Sequence, residues 1–247
     1  MERPALLGST YQSQPARPAL EIRLRSQNQK TARCEIRQRH IQNIPARLKR
    51  KRKVQIYLAS TSPRRQYLLH NFGIRFHVLD PNYDEPIIRG TDPRSYAIAS
   101  AKAKALSVTG KVKKGLIIGV DTVVAVKRRI LGKPGTRTEA EKMLKLLSGR
   151  THSVVSGIAL VRMPEKQVLI SSETTLIAFH RLSDREIEHY LAAPEPYDKA
   201  GAYGIQGNAY RFVREVNGSY LNVVGLPICR LLSLLQQAKA SPLLQTD

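Results

Sequence analysis

Asp121 lies inside Leu116-Ile117-Ile118-Gly119-Val120-Asp121-Thr122-Val123-Val124, an otherwise apolar run. A lone carboxylate is costly to bury unless a metal, a base or strong donors compensate it. Catalytic or metal-binding duty is one reading; a strand-end Asp accepting backbone hydrogen bonds is the other. A second group stands upstream in Ser60-Thr61-Ser62-Pro63-Arg64-Arg65. Arg64 and Arg65 fall in the first turn of a predicted helix, where the positive end of the macrodipole disfavours cations. That placement makes sense if an anion binds there. Helix N–H groups, the Ser60 and Ser62 hydroxyls and two guanidiniums would then converge on phosphate. A solvent-facing Arg pair beside an ordinary Ser-Pro cap would read the same way. Asp84-Glu85, Lys102 and Lys133 are candidate partners. A carboxylate pair with several cations is what metal-assisted attack on a phosphate ester requires, although Lys102 on an Ala-rich helix also suits plain surface. The stretch from Glu195 to Gly207 brings Gly201, Gly204 and Gly207 close together. Such spacing permits close backbone approach to a ligand. Gln206 offers both donor and acceptor, which suits the polar edge of a base. A tight connection in which Asp198 and Lys199 pair is the alternative.

The elements that must position these residues alternate. Residues 54–59 read as a strand, and residues 64–72 as a helix with Ser62 as N-cap, Pro63 at N1 and Gly73 as its stop. A strand follows over residues 74–79, a helix over 93–108 and a buried strand over 116–126, returning at Ile130-Leu131. Thr138-Glu139-Ala140-Glu141 has capping-box spacing and opens a helix to Leu147. Residues 153–163 and 167–179 read as a long strand pair turned at Pro164-Glu165. Ser183-Asp184-Arg185-Glu186 is a second capping box, on a helix ending before Pro194. Asn217-Gly218 predicts a hairpin between strands at 210–216 and 219–224. Residues 227–237 read as a last helix. Helices interleaved with strands, with hairpins present, predict an α/β domain with a mixed sheet.

Composition narrows the classes. The chain has 247 residues, and 42% are apolar, enough for a core. Its 41 Lys+Arg against 19 Asp+Glu give a net charge of +22. Residues 1–53 hold 14 Lys+Arg and 3 Asp+Glu, so half of that charge sits on about a fifth of the chain. This stretch lacks a hydrophobic period and ends in Arg47-Leu48-Lys49-Arg50-Lys51-Arg52-Lys53. It reads as a disordered basic extension before a domain spanning residues 54–247. Polyanion binding, organelle or nuclear targeting, and a solvated extension without a role all fit it. Cys34 and Cys229 cannot make a disulfide framework or a paired-cysteine zinc site. No apolar run approaches the roughly 18–20 residues that cross a bilayer, and residues 1–25 lack a secretory apolar region. A cytoplasmic protein with no membrane association is expected.

Taken in order, these segments resemble the Maf family of nucleoside triphosphate pyrophosphatases. The matching stretches include Leu58-Ala59-Ser60-Thr61-Ser62-Pro63-Arg64-Arg65, Gly119-Val120-Asp121-Thr122-Val123-Val124 and Ile130-Leu131-Gly132-Lys133-Pro134. Leu147-Ser148-Gly149-Arg150-Thr151-His152, Asp198-Lys199-Ala200-Gly201-Ala202-Tyr203-Gly204-Ile205-Gln206-Gly207 and the stretch from Gly218 to Pro227 match as well. The resemblance covers about residues 54–236. It implies an elongated α/β fold like that of the inosine triphosphate pyrophosphatases, a homodimer, and hydrolysis of a nucleoside triphosphate to monophosphate and pyrophosphate. It also implies a divalent cation, Mg2+ or Mn2+, held by Glu85 and Asp121. Asp121 matches the family's proton acceptor; Ser60, Arg64, Arg65, Lys102 and Lys133 would hold the triphosphate. Arg64, Thr122 and Gln206 resemble the choices of members acting on dTTP and UTP, rather than on 7-methyl-GTP. Thr122 and Gln206 would then read the base. Two features depart from the family. The basic extension has no counterpart, and the helix motif Arg-Glu-Lys-Ala reads Ser100-Ala101-Lys102-Ala103 here. A non-enzymatic regulator that binds polyanions through its basic tail is the alternative from another class.

Overall fold

The longest apolar runs of the chain become the middle of a seven-stranded mixed sheet in the computed structural model. It describes residues 54–83, 90–127, 129–193 and 195–238. The expected disorder of residues 1–53 lies outside these residues. Strand β1 is Ile56–Ala59, β2 is His77–Leu79, β3 is Gly115–Val126 and β4 is Arg129–Leu131. The long pair is β5, Thr151–Met163, and β6, Gln167–Phe179; β7 is Val213–Asn217. The order is β2-β1-β3-β5-β6-β7, with β4 on β3. β1 runs parallel to β2 and β3, and all other pairs are antiparallel.

One edge of β3 is shared by two partners. β1 takes Leu116–Gly119 and β4 takes Val124–Val126. Between them the sheet forks, and Asp121 and Thr122 sit in the fork. On its other edge β3 is paired to β5 from Gly115 through Ala125. Alternation along a strand sends successive side chains to opposite faces. Leu116, Ile118, Val120 and Val124 join the larger core, and Ile117 joins the smaller one on the other face.

Helix α1 is Pro63–Asn71, α2 is Pro93–Ser107, α3 is Arg137–Leu147, α4 is Asp184–Leu191, α5 is Tyr220–Val224 and α6 is Ile228–Gln237. α2 covers the smaller core, and Gly119 and Gly157 bring it close. A Cβ on Gly119 would collide with the Ala101 carbonyl, and one on Gly157 with Ala97. Two strands without side chains at the crossing therefore set the height of α2 over the sheet.

Several predicted details differ. Residues 219–224 do not form a hairpin strand. Ser219 accepts from the N–H of Asn222 and caps α5 instead, and the Asn222 amide donates to the Val154 carbonyl and the Thr175 hydroxyl in the core. That local cap and the burial of Asn222 outweigh the Asn-Gly turn signal. α3 starts two residues earlier than predicted, because Thr136 rather than Thr138 is its N-cap. Ser183 and Glu186 form the full reciprocal capping box expected of α4. Gly73 ends α1 in the left-handed region, as expected. Among the described residues no helix is long and apolar enough to cross a membrane.

Candidate active site

The fork opens into a cleft of about 720 Å3. Its floor comes from β3, one wall from the turn after β1 and the start of α1, and the other from residues 198–207. Ser60, Arg64, Arg65, Asp121, Thr122, Lys133 and Gln206 all border it. The sequence-predicted residues are thus brought together, with two exceptions. Glu85 lies outside the described residues. Lys102 is exposed on α2 and does not border the cleft.

Lys104, two residues further along α2, is the lysine that meets Asp121. It is 6% exposed, Asp121 is 4% exposed, and its Nζ lies 2.5 Å from Asp121 Oδ1. The reason is helical periodicity. The buried positions of α2 are Tyr96, Ala97, Ser100, Ala101, Lys104 and Ala105, a single face at spacings of three and four. Lys102 points off that face. The Lys-Ala pair occurs twice in succession, at Lys102-Ala103 and Lys104-Ala105, and only the second occurrence faces the sheet. Marking the Ala face of α2 would have selected it.

Arg65 ties the cleft together rather than standing free. Its Nε donates to the Gly225 carbonyl at 3.0 Å, its Nη1 to Ser60 Oγ at 3.0 Å and its Nη2 to Thr122 Oγ1 at 3.4 Å. Thr122 Oγ1 also lies 2.8 Å from Ser156 Oγ across the β3–β5 ladder. α1, β3, β5 and the end of α5 therefore meet on one guanidinium and one hydroxyl. Ser60 is buried, and its Oγ also accepts from the Ser62 N–H. Ser62 is the N-cap residue of α1, but its hydroxyl makes no capping bond.

Arg64 spans the mouth of the cleft to Asp198, Nη1 to Oδ2 at 3.4 Å, and Lys199 reaches the other oxygen of Asp198 at 2.6 Å. Partial burial alone would raise the Asp198 carboxyl. The hydrogen bond and charge of Lys199, then those of Arg64, outweigh it and hold the group below the usual carboxylate range. Asp198 and Lys199 do pair, as the alternative reading of their stretch had it, and both border the cleft. Arg64, Lys133 and Lys199 surround a space bordered by one buried carboxylate. The arrangement suits a polyanion whose reacting centre comes to rest over Asp121.

Two comparisons with known proteins bear on this cleft, and a third does not. The family model described as "Maf-like protein" matches residues 55–238. A dTTP/UTP pyrophosphatase of Carboxydothermus hydrogenoformans is 46% identical over 184 residues, covering 74% of this chain and 98% of that one. Proteins with the same description from Clostridioides difficile and Symbiobacterium thermophilum are 43% and 45% identical, covering 74% of this chain and 94% and 93% of theirs. Among solved structures, the Staphylococcus aureus Ham1 protein aligns over 51% of this chain and 71% of its own at 19% identity, with a TM-score of 0.35, too slight a likeness to bear on the argument.

Proposed function

The chain belongs to the Maf-like protein family, and on that premise we propose how its cleft works as a nucleoside triphosphate pyrophosphatase on dTTP and UTP. The observation that carries the reading is the buried Lys104–Asp121 pair at the floor of a cleft ringed by cations. Water attacks the α-phosphorus, its oxygen bonds there, and the bond from that phosphorus to the bridging oxygen breaks. Pyrophosphate leaves and the monophosphate remains. Asp121 orients the water and takes its proton. Lys104 neutralises the buried charge of Asp121 and fixes one of its oxygens. Arg64, Lys133 and Lys199 face the phosphates and offset the charge that develops on the leaving group. Arg65 holds Ser60 and Thr122 in place. Gln206, exposed on the far wall, meets the base.

A divalent cation fits the donors present. Among the described residues no three carboxylates, histidines or cysteines gather at one point. Mg2+ does not require such a cage, because it is held by one or two carboxylates together with substrate phosphates and water. Asp121 supplies one such oxygen ligand, and Glu85 is the second by family resemblance. When bound, the cation supplies Lewis-acid neutralisation of the triphosphate. We place the protein in the cytoplasm as a homodimer that clears non-standard pyrimidine nucleotides, on the family resemblance.

The test is turnover of dTTP, UTP and 7-methyl-GTP by the full chain with Mn2+, read as pyrophosphate release. dTTP and UTP are consumed, and Asp121→Asn abolishes nearly all turnover. Consumption of 7-methyl-GTP with dTTP and UTP intact would reassign the substrate.

A further inference from the structure

The loop that carries Gln206 is moored to the core, and the mooring passes through a histidine that does not border the cleft. His152, on β5, is 2% exposed, and its Nε2 lies 2.8 Å from the Tyr203 hydroxyl. Its ring meets Phe179 edge-on at 4.8 Å and Tyr203 at 5.4 Å, and Phe179 in turn meets Tyr203 and Phe212. Tyr190, edge-on to Phe212, accepts the N–H of Gly204 at 3.3 Å. The Gly201 N–H donates to the Gly132 carbonyl, one residue before Lys133. Gly201 stands at φ +70° against Val124, where a side chain would be strained and crowded. Three successive ties thus fix residues 201–204, and Gln206 follows two residues later. Ala202 also stands at a positive φ, +61°, a conformation that persists only where neighbours over-determine it.

Of these ties, His152–Tyr203 is a side-chain bond that is fully buried at both ends. Burial pushes His152 down to about 4, so the ring is neutral at neutral pH, and burial raises the Tyr203 phenol as well. Neither partner charges near neutrality, and the bond persists throughout that range. His152 Nδ1 is buried without a hydrogen-bond partner, so the ring is retained at the expense of one unsatisfied nitrogen.

We propose that His152 is a positioning residue for base selection: by bonding Tyr203 it fixes the loop on which Gln206 meets the nucleobase. The inference rests on the reading of Gln206 given above. It assigns His152 an effect on which nucleotide is accepted, and little effect on the chemical step, which belongs to β3 and α2.

The experiment compares His152→Phe, Tyr203→Phe and Gln206→Ala with the unaltered full chain. It measures kcat and KM for dTTP and for dCTP, whose base presents the opposite donor and acceptor pattern. For His152→Phe, KM for dTTP rises and the dTTP/dCTP preference in kcat/KM falls by about tenfold, the scale of one buried hydrogen bond. The kcat for dTTP stays within about twofold, since the reacting groups are untouched. His152→Gln, whose amide can reach Tyr203, recovers part of the preference. Tyr203→Phe removes the same bond by loss of one oxygen, so the question stays answerable if His152→Phe does not fold. A preference unchanged in His152→Phe and Tyr203→Phe while Gln206→Ala abolishes it overturns the positioning role and leaves the Gln206 reading standing. A preference unchanged in Gln206→Ala overturns that reading and the inference with it. Equal loss of kcat for both nucleotides in His152→Phe assigns the histidine to stability alone.

Discussion

Lys104 and Asp121 hold opposite charges 2.5 Å apart, each nearly shut off from water. Removing one partner of such a pair leaves the other uncompensated, at about 3–5 kcal/mol. Lys104→Met should therefore lower unfolding free energy by about that much in urea titrations and abolish most dTTP turnover. Lys102→Ala, two residues away on the exposed face, should shift stability by less than about 0.5 kcal/mol and leave turnover at its original level. His152 gives the chain a pH signature. Its pKa is about 4 folded against 6.5 unfolded, so the unfolded chain binds the extra proton between those values. Its contribution is complete above about pH 6.5, is lost as the pH falls towards 4 and changes little below that. The amount is on the order of 3 kcal/mol at a conversion of about 1.4 kcal/mol per pH unit. Urea midpoints at pH 7 and pH 4 check it: the unaltered protein should lose more stability between them than His152→Phe.

At the scale of elements, α2 is placed by the glycines beneath it. Gly119→Ala or Gly157→Ala should force helix and sheet apart, cost about 1–3 kcal/mol or more, and reduce turnover by carrying Lys104 away from Asp121. Thermal unfolding and pyrophosphate release measure both effects. Ser183→Ala breaks the α4 capping box, away from the cleft, and should cost about 1 kcal/mol with kcat unchanged. Most of the element pattern was legible in the sequence, because burial writes it there: β3 and the β5–β6 pair are long apolar or alternating runs, and α1 and α4 carry their own start signals. What stayed illegible depends on groups distant in sequence. The turn chemistry of Asn217-Gly218 predicts a hairpin, yet Asn222 bonds to Val154 and Thr175 and draws its segment into a helix. Lys102 and Lys104 carry the same local signal, and only the facing sheet separates them. The cleft residues Ser60, Arg64, Lys133 and Gln206 could be picked out by type and spacing, and Thr122 through the family resemblance. The internal commitments of Arg65 could not, since they reach as far as Gly225.

Over the whole molecule, charge is the conspicuous quantity. A net +22 attracts a multiply anionic nucleotide before contact. Apparent association with dTTP should slow as ionic strength rises and the screening length shrinks. Half of that charge lies on residues 1–53, outside the matched family region. Removing them should leave kcat/KM for dTTP within about twofold at physiological salt, while retention on immobilised single-stranded DNA drops and loses its steep salt dependence. Gel filtration of the same two proteins tests the proposed dimer. The fork in the sheet reaches beyond the reaction itself. The carboxylate hangs from a strand of 12 residues laced to its neighbour for nearly its full length, whereas Gln206 rides on a short limb between two 3-10 turns. Under the division of work proposed for Asp121 and Gln206, hydrolytic hardware and the loop's share of nucleobase choice are mounted on separate chassis, so rewriting a handful of positions near Gly204 should retool a descendant for another nucleotide without re-engineering the engine.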